Sequence, residues 1–181
     1  MARILITGSE GFIGSALQLF FKDNTEHEVF TLDITPKFDD SKNHYNMDVN
    51  EEEISNVFSK LKPEIVIHLA AQISLIESFK DPKTDAKSNI IGTINVAKAC
   101  VENEVNHLIY INSAGAIYNH EKNKSTTENS LISPSSPYGI SKASGEFYVR
   151  TLTANSFTKW SSLALSNVYG KYDNNRSGYI N

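Results

Sequence analysis

The first fourteen residues constrain the fold of this chain more than any other segment. Arg3–Thr7 is a short, β-branched, apolar run that predicts a buried strand, and three glycines follow it at three-residue spacing. Between a strand and a helix, such glycines allow a tight turn, close approach of a pyrophosphate, and close packing of the helix. An ordinary glycine-rich turn is the alternative reading. The residues predicted to line a phosphate site here are Gly8, Gly11, Phe12, Ile13 and Gly14.

Strand-like and helix-like segments alternate along the rest of the chain. This rhythm predicts an α/β fold: a doubly wound parallel sheet of the Rossmann type, in a three-layer α/β/α arrangement. Two polar segments, 36–46 and 119–130, are predicted loops. The remaining predicted strands are residues 28–33, 64–69, 106–112 and 160–165, and the most distinct helices are residues 84–103 and 136–155.

An acidic residue ends the second predicted strand. Asp33 lies about twenty residues after the glycines, where a carboxylate can accept hydrogen bonds from both hydroxyls of an adenosine ribose. The same carboxylate repels a 2′-phosphate, so NAD is favoured over NADP. Asp48 and Val49 are weaker candidates for contact with the adenine, since Asp48 is equally suited to cap a helix that begins at Glu51.

Composition excludes several classes of function. The 181 residues suit one domain, and 17 basic against 21 acidic residues give a net charge of −4, which argues against a nucleic-acid partner. The single cysteine, Cys100, allows no internal disulfide and is expected in a helix core. No apolar run is long enough to cross a membrane, and the histidines show no metal-ligand spacing. We therefore expect a cytoplasmic protein with no membrane partner and no metal.

Two Tyr-x-x-x-Lys pairs are present, and this spacing puts a phenol and an ammonium one helical turn apart. The positive charge can lower the pKa of the phenol, which requires about 4 kcal/mol to move from 10 to neutrality. Tyr118 and Lys122 run into a polar loop and are interpreted as a chance occurrence. Tyr138 and Lys142 open a helix just after Pro137 and are the better candidate site.

Six motifs occur in order along the chain: GSEGFIG at 8–14, HLAAQ at 68–72, NIIGT at 89–93, INSAGAIY at 111–118, SPYGISK at 136–142 and NVYG at 167–170. In this combination the chain resembles the NAD-dependent epimerase/dehydratase family, the extended branch of the short-chain dehydrogenases/reductases. It is most similar to UDP-glucose 4-epimerase-like members. The resemblance implies NAD as cofactor and a nucleotide sugar, in the first place a UDP-sugar, as substrate.

The resemblance also implies roles for individual residues. Tyr138 would be the general base that removes a sugar hydroxyl proton, and Lys142 would lower its pKa and hold the nicotinamide ribose. Most members carry the catalytic hydroxyl at the position where this chain has Ala114. A subset of the family carries it one residue earlier, so this role is assigned to Ser113. The alternative is that Ser113 caps the turn and that the third catalytic group is missing. Further cofactor contacts are expected from Leu69, Ala70, Ala71 and Asn89, and substrate contacts from Ser113 and Asn167.

The neighbouring residues discriminate between reactions. Nucleotide-sugar 4,6-dehydratases carry an Asp-Glu pair after the catalytic hydroxyl, where this chain has Ala114 and Gly115, so epimerisation is favoured. A decarboxylase or a reductase remains an alternative. His68 is expected to anchor the backbone at a strand end and not to titrate in catalysis.

Domain organisation leaves a second interpretation open. Residues 1–166 are predicted to form an NAD-binding domain, and residues 167–181 to begin a truncated C-terminal substrate-binding region. The alternative to an active enzyme is therefore an inactive NAD-binding fragment. Family resemblance further implies a homodimer formed through helices 84–103 and 138–155, with Phe147 and Leu152 as candidate outward-facing apolar residues.

Overall fold

The computed structural model describes residues 1–36, 42–118 and 125–170. Within them, six parallel strands form one sheet in the order β3-β2-β1-β4-β5-β6. The chain therefore reverses its direction of travel between β1 and β4, as a doubly wound sheet does, and the predicted fold class is confirmed. The strands are β1 (Arg3–Thr7), β2 (Glu28–Asp33), β3 (His44–Asn46), β4 (Ile65–His68), β5 (His107–Ser113) and β6 (Lys159–Leu165).

Helices connect the strands and cover both faces of the sheet. They are α1 (Phe12–Asn24), α2 (Ile54–Leu61), α3 (Leu75–Lys80), α4 (Pro82–Ala86), α5 (Gly92–Glu102), α6 (Ala114–Ile117) and α7 (Pro137–Thr153), with a π-helical turn at Lys87–Ile91 that joins α4 to α5. The side chains of β1 alternate between the two faces. Leu5 joins the larger core, with residues of α2, α5 and α7, while Ile4 and Ile6 pack with Leu17 and Phe21 of α1.

Several boundaries differ from the sequence-based expectations. The segment 36–46, predicted as a loop, contains β3, because His44–Asn46 pairs in parallel with the end of β2. The helix expected to begin at Glu51 begins at Ile54, after a turn. The helix expected over residues 84–103 begins two residues earlier, as α4, since Pro82 is accepted in a first helical turn. It then passes through the π-helical turn and continues as α5. Residues 119–124 of the predicted loop 119–130 lie outside the described residues.

Two further features bear on function. No helix in the described ranges has the length and hydropathy needed to cross a membrane, and these ranges hold no group of three or more His, Cys, Asp or Glu side chains able to bind a metal ion. Cys100 is fully buried in the larger core, as expected, and burial raises the pKa of its thiol far above the ordinary range. The thiol is therefore a core side chain.

Candidate active site

The glycine loop lies at the carboxyl end of β1, at the point where the strand order reverses. Gly8 has a φ of 69°, which only glycine adopts without strain, and its N–H donates to the carbonyl of Leu32 at 2.9 Å. A Cβ placed on Gly8 would lie 2.5 Å from the backbone nitrogen of Ala70. The loop therefore rests directly on the chain that leaves β4, which explains the small residues of the HLAAQ motif.

The other two glycines shape the start of α1. A Cβ on Gly14 would lie 2.5 Å from the carbonyl oxygen of Gly8, so the helix packs against the loop as closely as a glycine permits. Gly11 precedes the helix and provides no side-chain cap, and a Cβ there would have one neighbour, the same oxygen, at 3.3 Å. No described side chain therefore caps the first N–H groups of α1, which include those of Phe12 and Ile13, and such a helix start is suited to an anion.

Asp33 ends β2 beside this loop and is buried. One carboxylate oxygen accepts from the N–H of Glu10 at 2.9 Å, and the other accepts from the N–H of Thr35 at 2.8 Å. The carboxylate is therefore fixed against the glycine loop at the adjacent carboxyl end of the sheet. The glycine loop and the start of α1 together form a glycine cradle. This cradle fits the pyrophosphate of a dinucleotide, and the Asp33 carboxylate fits its ribose.

The weaker adenine candidates have structural roles in the turn before α2. The Asp48 carboxylate accepts from the backbone N–H of Asn50 at 2.9 Å and from its side-chain amide at 2.8 Å, while the Asp48 N–H donates to Glu51 at 3.0 Å. Val49 is buried and packs directly against Gly92. Contact of either residue with an adenine stays a prediction.

The catalytic helix begins beside the end of β5. Ser136 caps α7 by accepting from the N–H of Gly139 at 3.0 Å, and Pro137 occupies the first helical turn, as the sequence predicts. A Cβ on Gly139 would overlap the carbonyl oxygen of Ala116, so the first turn of α7 lies directly against α6. This packing brings Tyr138 near the side chain of Ser113, which lowers the pKa of the phenol.

The charge environment of Tyr138 differs from the sequence-based expectation. Burial raises the pKa of the half-buried phenol, the hydrogen bond from Ser113 lowers it, and the negative charge of Asp85 raises it; the pKa is raised in total. Burial also lowers the pKa of Lys142 to about 7, against the raising effects of Asp85 and Glu146. The Lys142 ammonium lies 4.3 Å from the ring centroid of Tyr110. The protein alone thus holds Tyr138 as a phenol.

His68 is buried at the centre of a hydrogen-bonded chain of side chains. Its Nδ1 lies 2.7 Å from Thr7 Oγ1 and its Nε2 3.1 Å from Thr93 Oγ1. Thr93 donates its hydroxyl proton to the carbonyl of Asn89 at 2.7 Å, so Nε2 carries the histidine proton and Nδ1 accepts from Thr7. Burial, followed by the Lys142 charge, lowers the pKa of His68 to about 3. His68 anchors side-chain hydroxyls, where backbone contacts were expected.

Asn89 clamps the chain that follows β4. Its Oδ1 accepts from the Gln72 N–H at 2.8 Å, and its Nδ2 donates to the Gln72 carbonyl at 2.9 Å and to Ser141 Oγ at 3.0 Å. Ser141 in turn donates to the carbonyl of Tyr138 at 2.9 Å. Asn89 thus connects the segment of Leu69, Ala70 and Ala71 with the catalytic helix. Its own contact with a cofactor stays a prediction.

Two charged residues of the site were missed by sequence reasoning. Asp85, four residues before Asn89, is buried, and Glu146, four residues after Lys142, accepts from Asn112 and Ser162, each at 2.6 Å. Their helical spacing from motif residues was the available signal.

The other candidates are placed as follows. Lys122 of the rejected pair lies outside the described residues. Asn167 is exposed and follows the end of β6. Its contact with a substrate stays a prediction. Phe147 is exposed on α7, as expected, whereas Leu152 is half buried and packs against the larger core, so its outward placement was wrong. The two side chains are five residues apart, which is about 140° around an α-helix, so they lie on different faces of α7.

Comparison with known proteins identifies a family and its solved structures. The NAD dependent epimerase/dehydratase family matches residues 4–180. A putative UDP-glucose 4-epimerase of Methanocaldococcus jannaschii is 32% identical over 93% of this chain and 56% of its own length. The curated relatives also include a dTDP-D-glucose 4,6-dehydratase and a dTDP-4-dehydrorhamnose reductase.

Two solved structures have the same fold as this chain. UDP-glucose 4-epimerase of Thermotoga maritima with UDP-glucose superposes with a TM-score of 0.88 at 34% identity, covering 96% of this chain and 58% of that one. The complex of the Thermus thermophilus UDP-glucose 4-epimerase with NAD gives 0.85 at 31% identity, with the same coverages of 96% and 58%. The chain therefore spans somewhat more than half the length of the relatives that it matches.

Proposed function

The chain belongs to the NAD-dependent epimerase/dehydratase family, and on that premise we propose that it is an NAD-dependent nucleotide-sugar epimerase of the UDP-glucose 4-epimerase type. The observation that carries the proposal is the placement of Tyr138 and Lys142 one helical turn apart at the start of α7, with the Ser113 side chain near enough to Tyr138 to lower its pKa. This group lies at the carboxyl edge of the sheet that also carries the glycine cradle and Asp33.

Binding of the cofactor falls to the residues around β1, β2 and β4. Gly8, Gly11 and the start of α1 accept the pyrophosphate, and Asp33 accepts the hydroxyls of the adenosine ribose. The Asp33 carboxylate repels a 2′-phosphate, so the site favours NAD over NADP. When bound, NAD supplies a hydride acceptor beside the sugar.

Tyr138 and Ser113 act on the sugar hydroxyl at C4. Ser113 hydrogen-bonds the reacting hydroxyl and Tyr138 removes its proton as the carbon is oxidised; Tyr138 returns the proton when the hydride returns to the other face of the turned sugar. Because the pKa of Tyr138 is raised in the protein alone, the phenolate must gain stabilisation from positive charge at the time of reaction. Lys142 is the buried cation of the site that can provide it.

The residues after Ser113 favour epimerisation over the dehydratase reaction. Ala114 and Gly115 open the short helix α6 and carry no titratable group. The 4,6-dehydratases that this chain resembles carry an Asp-Glu pair at these positions, and they need those acids to expel water from the oxidised sugar, whereas epimerisation needs no such acid. A dehydratase, a decarboxylase or a reductase of the same family is the runner-up.

A second candidate function is NAD binding without turnover. It is favoured by one observation: the pKa of Tyr138 is raised in the protein alone, and a phenol that stays protonated cannot act as a base. We propose that residues 1–166 hold NAD and that residues 167–181 begin the region that completes the nucleotide-sugar pocket. A second copy of the chain is the proposed partner, with the exposed Phe147 of α7 in the contact.

The two functions are separated by measuring binding and turnover on the same preparation. NAD binding is titrated by calorimetry in the wild type and in Tyr138→Phe, and interconversion of UDP-glucose and UDP-galactose is followed by chromatography. An epimerase shows turnover that Tyr138→Phe reduces by about 10²- to 10⁴-fold while NAD still binds. Saturable NAD binding without turnover of any UDP-sugar would establish the second function. Absence of NAD binding would contradict both.

A further inference from the structure

Asp85 is a buried carboxylate that the proposed reaction does not use. It lies in α4 and is 1% exposed. Its Oδ1 accepts from the side-chain amide of Gln72 at 2.8 Å and from that of Asn89 at 3.3 Å. Its Oδ2 is buried without a hydrogen-bond partner among the described residues. An ionised carboxylate is costly to bury unless positive charge or further donors compensate it, so this placement calls for a compensating cation.

The hydrogen bonds of Asp85 lead to the catalytic helix. Asn89 Nδ2, which donates to Asp85, also donates to Ser141 Oγ, and Ser141 donates to the carbonyl of Tyr138. Helix α4 packs against α7, so the carboxylate sits beside the helical turn that carries Tyr138 and Lys142. Two amide side chains thus hold Asp85 in one orientation toward this turn.

The charge of Asp85 acts on both members of the catalytic pair. It raises the pKa of Lys142 and also raises the pKa of Tyr138, because a negative charge favours the ammonium over the amine and the phenol over the phenolate. The negative charges that act on Lys142 come from Asp85 of α4 and Glu146 of α7. Its ammonium lies over the ring of Tyr110 in β5, and its charge acts on His68 of β4. Glu146 is already engaged by Asn112 and Ser162.

We propose that Asp85 is a positioning residue of the active site: a buried negative charge, held by Gln72 and Asn89 beside the turn of α7 that carries Tyr138 and Lys142, that serves as the counter-charge of Lys142. The proposal rests on the roles proposed above for Tyr138 and Lys142. It accounts for the two amide side chains that converge on one oxygen of a buried carboxylate.

The test is a titration of the cofactor-free protein by NMR. Carbon-13-labelled lysine and tyrosine are introduced, and the Lys142 and Tyr138 signals are assigned with Lys142→Arg and Tyr138→Phe. Asp85→Asn keeps an acceptor for Gln72 and Asn89 but removes the charge. We expect it to lower the pKa of Lys142 by about one unit, and to lower that of Tyr138 in the same direction.

Matched variants separate charge from structure. Asp85→Glu retains the charge and is expected to restore the pKa of Lys142 toward the wild-type value of about 7. Glu77→Gln removes one charge from the exposed surface of the neighbouring helix α3 and is expected to change neither titration. Asp85→Ser, smaller and still able to accept from Gln72, is measured in the same way and decides the question if Asp85→Asn does not fold.

The outcomes are distinct. An unchanged or raised pKa of Lys142 in a folded, uncharged variant at position 85 overturns the proposal, as does a shift of equal size in Glu77→Gln. A lowered pKa supports it. Because the titration needs neither cofactor nor sugar, failure of the wild type to bind NAD or to turn over UDP-sugars would overturn the proposed function and leave this result unaffected.

Discussion

The buried histidine of β4 should make the fold sensitive to mild acid. His68 has a pKa of about 3 in the folded protein, against 6.5 when exposed. The unfolded chain therefore binds a proton that the folded chain refuses, and stability that is complete above pH 6.5 is lost as the pH falls toward 3. The full difference of 3.5 units corresponds to about 5 kcal/mol at 1.36 kcal/mol per unit.

Between pH 8 and pH 5 the loss assigned to His68 is about 2 kcal/mol. The assay is urea unfolding followed by circular dichroism at several pH values in this range, for the wild type and for His68→Gln. The variant is expected to be less stable at pH 8, since the hydroxyls of Thr7 and Thr93 lose their partner, but to lose less stability on acidification. Because burial also lowers the pKa of Lys142, this residue contributes a further loss of stability as the pH falls. His68→Gln retains that loss, so the difference in pH dependence between the wild type and the variant isolates His68.

His27→Gln is the matched control, because His27 is exposed at the protein surface. It should keep the pH dependence of the wild type. The reasoning is refuted if His68→Gln loses as much stability between pH 8 and pH 5 as the wild type does. The same free energy change in His27→Gln as in His68→Gln would equally refute it.

Three further predictions follow from single contacts. Gly139→Ala should lower the free energy of unfolding by about 1–3 kcal/mol, because its Cβ overlaps the Ala116 carbonyl; Gly115→Ala, where a Cβ meets nothing within 4 Å, should change it by less, and equal losses in urea unfolding would contradict this. Ser136→Ala should cost about 1 kcal/mol by removing the cap of α7, with the exposed Ser135→Ala as the control; an unchanged melting midpoint would count against the cap. Asp33→Asn should weaken NAD binding and reduce the preference for NAD over NADP by roughly tenfold in calorimetric titration; an unaltered preference would remove Asp33 from the ribose contact.

The sequence predicts the parts of this site that depend on local backbone geometry. A tight turn is indicated by the glycines at 8, 11 and 14, because they lie between a predicted strand and a predicted helix. A helix start is indicated by Ser136, Pro137 and Tyr138, which places Tyr138 in the first turn of α7. The parallel sheet follows from the alternation of strands and helices. These features need no knowledge of which side chains meet across the fold.

Charge and burial could not be predicted in the same way. The lowered pKa values of His68 and Lys142 depend on side chains that converge from β1, β4, β5 and α4, which no spacing in the sequence reveals. Asp85 falls within the predicted helix 84–103, but its burial depends on the packing of α4 against α7, which the sequence does not show. The short strand β3 was missed because three residues pair only with the end of β2.

The contact between Gly8 and Ala70 has a consequence for the order of folding. The glycine loop looks like a self-contained motif, but its shape is closed by backbone from the far side of the β4 crossover. Contacts so distant in sequence form late, after the intervening loop entropy has been overcome. A peptide that ends with α1 would therefore contain every glycine of the motif but would lack the backbone of Ala70, against which Gly8 packs. Competence to bind a dinucleotide should appear in one cooperative step with the pairing of β1 and β4.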